Sequence, residues 1–288
     1  MSGAAQAVLL SGGRRLHLQH GPIDIIAEAS GDPDEVRSAY RQAAARFASV
    51  LDELVGELDL LRRPLGSAPP PVAGAVARRM VAAVWPHRAQ FVTPMAAVAG
   101  AVADEVLAAL LAGRRLRKAY VNDGGDIALF LAPGERLRAG VVADQDAPAI
   151  DGRLELDHAM PVRGVATSGW RGRSLSLGIA DAVTVLAASA AAADAAATLI
   201  ANAVDCDHPA IRRAPASHLR DDTDLGDLLV TVGVGVLPGR TIDQALARGA
   251  GHAQALRRTG RIWAASLMLA GRVRTVGRLP EEQLKVAG

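Results

Sequence analysis

AYVNDGGDIALFL, residues 119–131, decides the fold. Two apolar, β-prone runs flank Asp123, Gly124, Gly125 and Asp126. A double glycine between such runs predicts a two-residue hairpin loop, because both central residues of that turn need positive φ. A hairpin is antiparallel by construction. Toward the C-terminus an APGE turn (132–135) and RAGVVAD (138–144) extend the hairpin into a meander. Strands are expected over 160–167, 174–179 and 182–187, then in VTVGVGVL (230–237) and in a closing hairpin of RIWAASLML (261–269) with RVRTVG (272–277).

Toward the N-terminus, residues 15–25 read as a strand. Asp32, Pro33 and Glu35 supply an N-cap, a first-turn proline and a capping-box acid for a helix to about Leu60. GSAPPPV (66–72) is a connector, and a shorter helix over 72–84 is closed by Trp85 and Pro86. Thr93 caps and Pro94 opens a long helix that stops at Gly113, where Arg114, Arg115, Arg117 and Lys118 suit its negative end. After a polar loop at 218–227, Thr241 caps a helix to about Leu256. Strands come in groups with helices between the groups, which favours an α+β fold of antiparallel sheet(s) with helical layers over a doubly wound sheet. The expected organisation is a single domain over 1–288, divisible into two lobes near residues 114–120.

Half of the 288 residues are hydrophobic but only 3% are aromatic, so the core must be close-packed Ala, Val and Leu. Basic and acidic residues nearly balance, 32 against 30, which excludes a general nucleic-acid binder. The single Cys206 excludes an internal disulfide and a cysteine-based zinc site and fits a reducing compartment. The AVLL run at 7–10 is too short for a signal-peptide core. The apolar stretches 94–113 and 179–204 hold Asp104, Glu105, Asp181 and Asp194, which hydrocarbon would penalise. A cytoplasmic protein without membrane partners is expected, and an Ala-rich surface suits a homodimer.

AAAADAAATLIANAV (190–204) carries the chemistry-bearing pattern: Asp194, Thr198 and Asn202 fall four apart, on one face of a helix that is apolar elsewhere. A carboxylate and a hydroxyl in single file suit a hard cation such as magnesium, with a diphosphate as companion ligand. The same stripe also suits the solvent-facing edge of an ordinary Ala-rich helix.

VNDGGDI (121–127), GVATSG (164–169) and DAVTVLAASAAAADAAAT (181–198) resemble the ApbE-like superfamily, best known for magnesium-dependent FAD:protein FMN transferases. GPIDI (21–25) and FVTPMAAVAGAVADEV (91–106) resemble a smaller, uncharacterised branch of it. The resemblance implies a T-fold-related topology, with FAD and Mg2+ as cofactors. It places the metal on Asp194, Thr198 and the Ala166 carbonyl, with Asp194 as the catalytic centre of gravity. It also gives ligand-binding roles to Asn122, Gly124, Gly125 and Asp126 around the DGG turn, although that turn alone is an ordinary hairpin turn. Thr167, Ser168 and Gly169 are expected to donate to phosphate at a tight bend, and Ser176, Gly178 and Asp181 stand where transferases carry a His-Ile-Ile-Asp-Pro-type segment.

Two departures count against authentic transfer: Ala99 replaces the usual lysine before Gly100 and Asp104, and the histidine of the second segment is missing. The expected function is therefore a magnesium-dependent flavin- or diphosphate-binding protein, with FMN transfer or FAD pyrophosphate cleavage as its reaction. The alternative is a cofactor-biosynthesis protein or non-transferring module for a pterin-like heterocycle on the same fold. The acidic run at 221–227 lacks the spacing of a calcium loop, and His17 and His20 point to opposite faces of a strand. No nucleophile-elbow, Walker or dinucleotide motif occurs.

Overall fold

The computed structural model describes residues 3–141, 152–279 and 281–282. The N-terminal elements are β1 (Gln6–Leu9), β2 (Arg15–His20), β3 (Ile23–Gly31), α1 (Pro33–Gly56), the single turn α2 (Leu58–Leu61), α3 (Ala75–Val84) and α4 (Val98–Leu111). The middle of the chain holds β4 (Leu116–Asp123), β5 (Asp126–Leu131), β6 (Arg136–Val141), β7 (Gly152–Asp157), β8 (Gly164–Ser168), β9 (Ala182–Ala187) and α5 (Ala190–Ala203). It ends with β10 (Ile211–Pro215), β11 (Leu229–Val234), α6 (Gly239–Arg258), β12 (Ala264–Leu269), β13 (Arg272–Val276) and β14 (Glu281–Glu282). The chain forms two compact units, one of Met1–Leu137, Asp157–Val165 and Ala188–Asp194, the other of Arg138–Leu156, Ala166–Ala187 and Ala195–Gly288. Residues 114–120 lie inside the first unit, and the last passage between units falls within α5.

In the first unit the strand order is β1-β2-β3-β4-β5-β8, and every pairing is antiparallel. The α+β class with antiparallel sheet is thus observed. Asp123 pairs with Asp126 across a loop of Gly124 (φ 63°) and Gly125 (φ 114°), the conformation that the double glycine supplies without a Cβ penalty. Residues 15–25 are a hairpin and not one strand, because Gly21 and Pro22 turn the chain between His20 and Ile23. Leu16, Leu18, Ile23, Ile25, Ala27, Ala119 and Val121 are buried, and α1 and α4 pack against this sheet.

Asp32 caps α1 as its sequence implies, accepting from the Asp34 and Glu35 amides at 2.8 and 3.3 Å. The reciprocal half of the capping box is absent: the Glu35 carboxylate takes the Arg115 amide at 3.0 Å. Helix α1 ends at Gly56, short of Leu60. The Thr93 side chain makes no cap bond, residues Pro94–Ala97 form a 3-10 turn, and the α-helix proper starts at Val98. Residues Pro94–Leu111 are long and apolar enough to cross a membrane by length and composition. In this unit they pack against α1, α3, β4 and β5, and Glu105 pairs with Arg46 and Arg79 at 2.8 and 2.9 Å.

In the second unit the order is β8-β9-β12-β13, with α6 against β12 and β13. The β12–β13 hairpin matches expectation. Strand β6 does not continue the meander: it joins β7 and β14 in a separate sheet, and residues 142–144 of the expected strand lie outside the described residues. Residues 174–179 form no strand, and Thr241 does not cap α6, which starts at Gly239 after Pro238. Strands β10 and β11 form a two-stranded sheet.

Close backbone approach holds these small-residue layers together. A Cβ on Gly164 would fall 2.1 Å from Ser189 backbone atoms, whereas one on Gly251 of α6 meets nothing within 4 Å. Gly164→Ala should therefore cost about 3 kcal/mol or more, and Gly251→Ala should gain about 0.5–1 kcal/mol through helix propensity. Denaturant unfolding of both variants checks the contrast, and equal effects would refute the packing assignment.

Candidate ligand and metal site

Helix α5 follows β9 through Ala188 and Ser189 and is buried over most of its surface, with Ala192 and Ala203 near its ends partly exposed. Ala190, Ala193, Ala197, Ile200, Ala201 and Val204 are at 0% exposure, while Asp194, Thr198 and Asn202 all keep partial exposure. The stripe is thus neither a solvated edge nor sealed in the core.

Its start is satisfied from outside. No acid lies in the first turn of α5. The Asp104 carboxylate, from α4, accepts the Ala190 and Ala191 amides at 3.0 and 2.9 Å, and Ser189 Oγ accepts the Ala192 amide at 3.2 Å. Helix α4 also lacks a side-chain cap of its own. Asp194 Oδ2 accepts the Gly100 amide, in the first turn of α4, at 3.1 Å. Each helix start is therefore closed by a carboxylate of the other, which answers the orphan donors that any helix N-terminus leaves.

Burial pushes the Asp194 carboxyl up to about 7, against the lowering pull of the Gly100 and Ala99 amides, with Asp123 and Asp104 adding like-charge repulsion. Burial likewise raises Asp104, despite the Ala191 and Ala190 amides. Asp123 and Asp126 are both buried beside the Gly124–Gly125 turn. Among the described residues no three His, Cys, Asp or Glu side chains gather as a ready-made metal cluster. The oxygen donors that α5 itself offers here are the Asp194 carboxylate and the Thr198 hydroxyl.

Several expected ligand residues have structural employment. Asn122 Oδ1 accepts the Gly125 amide at 2.8 Å and pins the turn. Thr167 Oγ1 meets Thr184 Oγ1 at 2.9 Å, while Ser168 stays partly exposed. Gly169 permits close backbone approach, since a Cβ there would fall 2.2 Å from the Asp181 carbonyl oxygen. Ala166 is buried in β8. Ser176 and Gly178 close the far end of α5: Ser176 Oγ donates to Asn202 Oδ1 at 3.3 Å, Asn202 Oδ1 also takes the Leu177 amide at 3.0 Å, and Gly178 abuts the Ala201 carbonyl. Asp181 is a staple, accepting from Trp170 Nε1 at 3.1 Å, Arg171 Nε at 3.0 Å and the Ala270 amide at 2.6 Å. These bonds engage both its oxygens. His17 bonds Asp24 at 2.9 Å and His20 lies buried edge-on to Phe47, so the two make no ligand pair.

Sequence reasoning missed Asp123 and the capping role of Asp104. For Asp104 the available signal was the all-alanine first turn of α5, which carries no acid of its own to meet its amides.

The fold and this site define an α+β protein with an oxygen-donor stripe on a buried helix. A family model described as AbpE bacteria matches residues 7–275, and the chain belongs to that ApbE-like family. A UPF0280 protein of Methanothrix thermoacetophila is 42% identical over 118 residues, 40% of this chain and 48% of the relative. Another, from Methanothermobacter thermautotrophicus, is 37% identical over 162 residues, 54% and 61% of the two chains. The chain thus spans about half the length of the curated relatives it matches. A mutant form of the flavin transferase ApbE from Vibrio cholerae has a TM-score of 0.48 at 12% identity, over 96% of this chain and 97% of that one. The apo flavinyl transferase ApbE of Pseudomonas stutzeri scores 0.46 at 16% identity, over 96% and 95%.

The raised carboxyl has a pH signature. A folded-state pKa above the unfolded value of about 3.9 means that ionising Asp194 opposes folding. Its favourable contribution is complete below the unfolded pKa and is lost as pH rises through about 7. In chelator-treated protein, the melting temperature of Asp194→Asn should gain on that of the wild type as pH rises from about 4 to about 8. Parallel curves would remove Asp194 from its buried, repelled setting.

Proposed function

We propose that this chain is a cytoplasmic, magnesium-dependent FAD-binding protein of the ApbE-like family that acts at the phosphoanhydride of its ligand. The observation that carries the reading is the open Asp194–Thr198 stripe on a helix buried over most of its surface. Asp194 sits under the repulsion of Asp123 and Asp104, and a divalent ion relieves such repulsion. The donors fit magnesium: Asp194 Oδ and Thr198 Oγ1, one turn apart on α5, are both hard oxygens. When bound, the ion supplies charge neutralisation at diphosphate oxygens.

The chain's own residues do the rest. Asp194 holds its orientation through the Gly100 amide. The Gly124–Gly125 turn has no side chains to bar close approach of a ligand to its backbone. Ser168, partly exposed at the TSG bend, supplies a hydroxyl donor. Matches to flavin transferases by name support FAD over other diphosphates as the first ligand to try.

A thermal-shift panel of FAD, FMN, ATP and a pterin, each with and without magnesium, tests this. FAD with magnesium should stabilise the wild type, and the Asp194→Ala variant should fold yet lose that shift. Thr198→Ala should weaken magnesium-dependent binding by about 10-fold or more. FMN release from FAD, followed by chromatography, then separates turnover from binding. Stabilisation by the pterin without metal, or an undiminished shift in Asp194→Ala, would overturn the reading.

A further inference from the structure

Gly100 and Asp104 lie one turn apart on α4, and Ala190 and Asp194 lie one turn apart on α5. Hydrogen bonds join them crosswise: the Ala190 and Ala191 amides donate to Asp104, and the Gly100 amide donates to Asp194. The four corners close a ring in which each helical turn is one rigid side. Gly100 permits it, because a Cβ there would fall 2.3 Å from the Ala190 carbonyl oxygen. Moving Asp104 alters the height and rotation of the first turn of α5, and with it the carboxylate of Asp194.

We infer that Asp104 is a positioning residue: by holding the Ala190 and Ala191 amides it presets the orientation in which Asp194 meets a divalent cation, without touching that cation itself. The cation half of this inference rests on the magnesium reading given above. The orienting half does not, since the Gly100 amide reports it in metal-free protein. The Asp104 carboxylate makes no bond to the Gly100 amide, which donates to Asp194, so a purely local cap on α5 would leave that amide alone.

The experiment is amide hydrogen exchange on the full chain, combined with calorimetric titration of magnesium alone. Asp104→Asn keeps the shape but loses the charge and part of the accepting capacity. Exchange at Gly100 should then rise by about fivefold, the factor matching loss of an ordinary cap, while Val121 and Leu129 in the sheet stay protected. Magnesium affinity should fall by roughly 10- to 100-fold. Asp32→Ala, which removes the side-chain cap at the start of α1 and touches neither Asp104 nor α5, should leave Gly100 exchange unchanged. Should Asp104→Asn not fold, Asp104→Glu, which displaces the charge by one methylene, is read in the same way. Unchanged Gly100 exchange in the Asp104 variant, or an equal rise in Asp32→Ala, would overturn the positioning role. A wild type that takes up no magnesium would refute the cation reading alone, and Gly100 exchange would still decide the orienting half.

Discussion

Two helices help to start each other: Asp104 of α4 accepts the first two amides of α5, beside the Ser189 cap, and Asp194 of α5 accepts an amide in the first turn of α4. Each carboxylate meets the positive end of the partner helix's dipole, where a capping group is worth about 1 kcal/mol and a charge a few tenths more. Burial works against both acids and raises both pKa values. The amide bonds therefore do not make these carboxylates comfortable. They hold them in place at a cost, which the packing of α4 and α5 must cover.

That packing depends on side-chain size. With so few aromatics, the core gains area through many Ala, Val and Leu contacts, and such contacts need short interaxial distances. Gly100 and Gly164 provide them at the start of α5, and Gly178 does so at its end, each standing where a Cβ would meet backbone. Alanine on the helix and glycine on its neighbours are two halves of one packing solution. This is why an apparently featureless AAAADAAAT run can be so firmly located. Ion pairs such as Arg46 with Glu105 and Glu53 trim the outer helix faces and contribute less.

Local chemistry made much of the fold legible. The Gly124–Gly125 and β12–β13 hairpins follow from turn residues and alternation, and the start of α1 from Asp32 and Pro33. What failed were features whose partners are distant in sequence. Ser174–Ile179 alternates like a strand, yet its backbone serves α5 and β11: the Ile179 amide donates to Val204, and the Thr231 amide to the Ser176 carbonyl. Glu35 looks like a capping-box acid and is drawn instead to the Arg115 amide, eighty residues away. The stripe was visible as a periodicity, but its division of labour was not.

That division follows from where along α5 each polar residue falls. Asn202, in the last turn, binds the Leu177 amide and Ser176, and so fastens the C-terminal end. Asp194, in the second turn, fastens the N-terminal end through Gly100. A helix buried over most of its surface needs polar groups at both ends for one structural purpose, joining it to loops and helix starts that carry unpaired amides. Thr198 sits midway, where α5 has neither end to fasten, and its partial exposure has no such explanation. The hydroxyl in the middle of the stripe, one turn from a carboxylate under like-charge repulsion, is thus the element of the pattern that structure alone does not require.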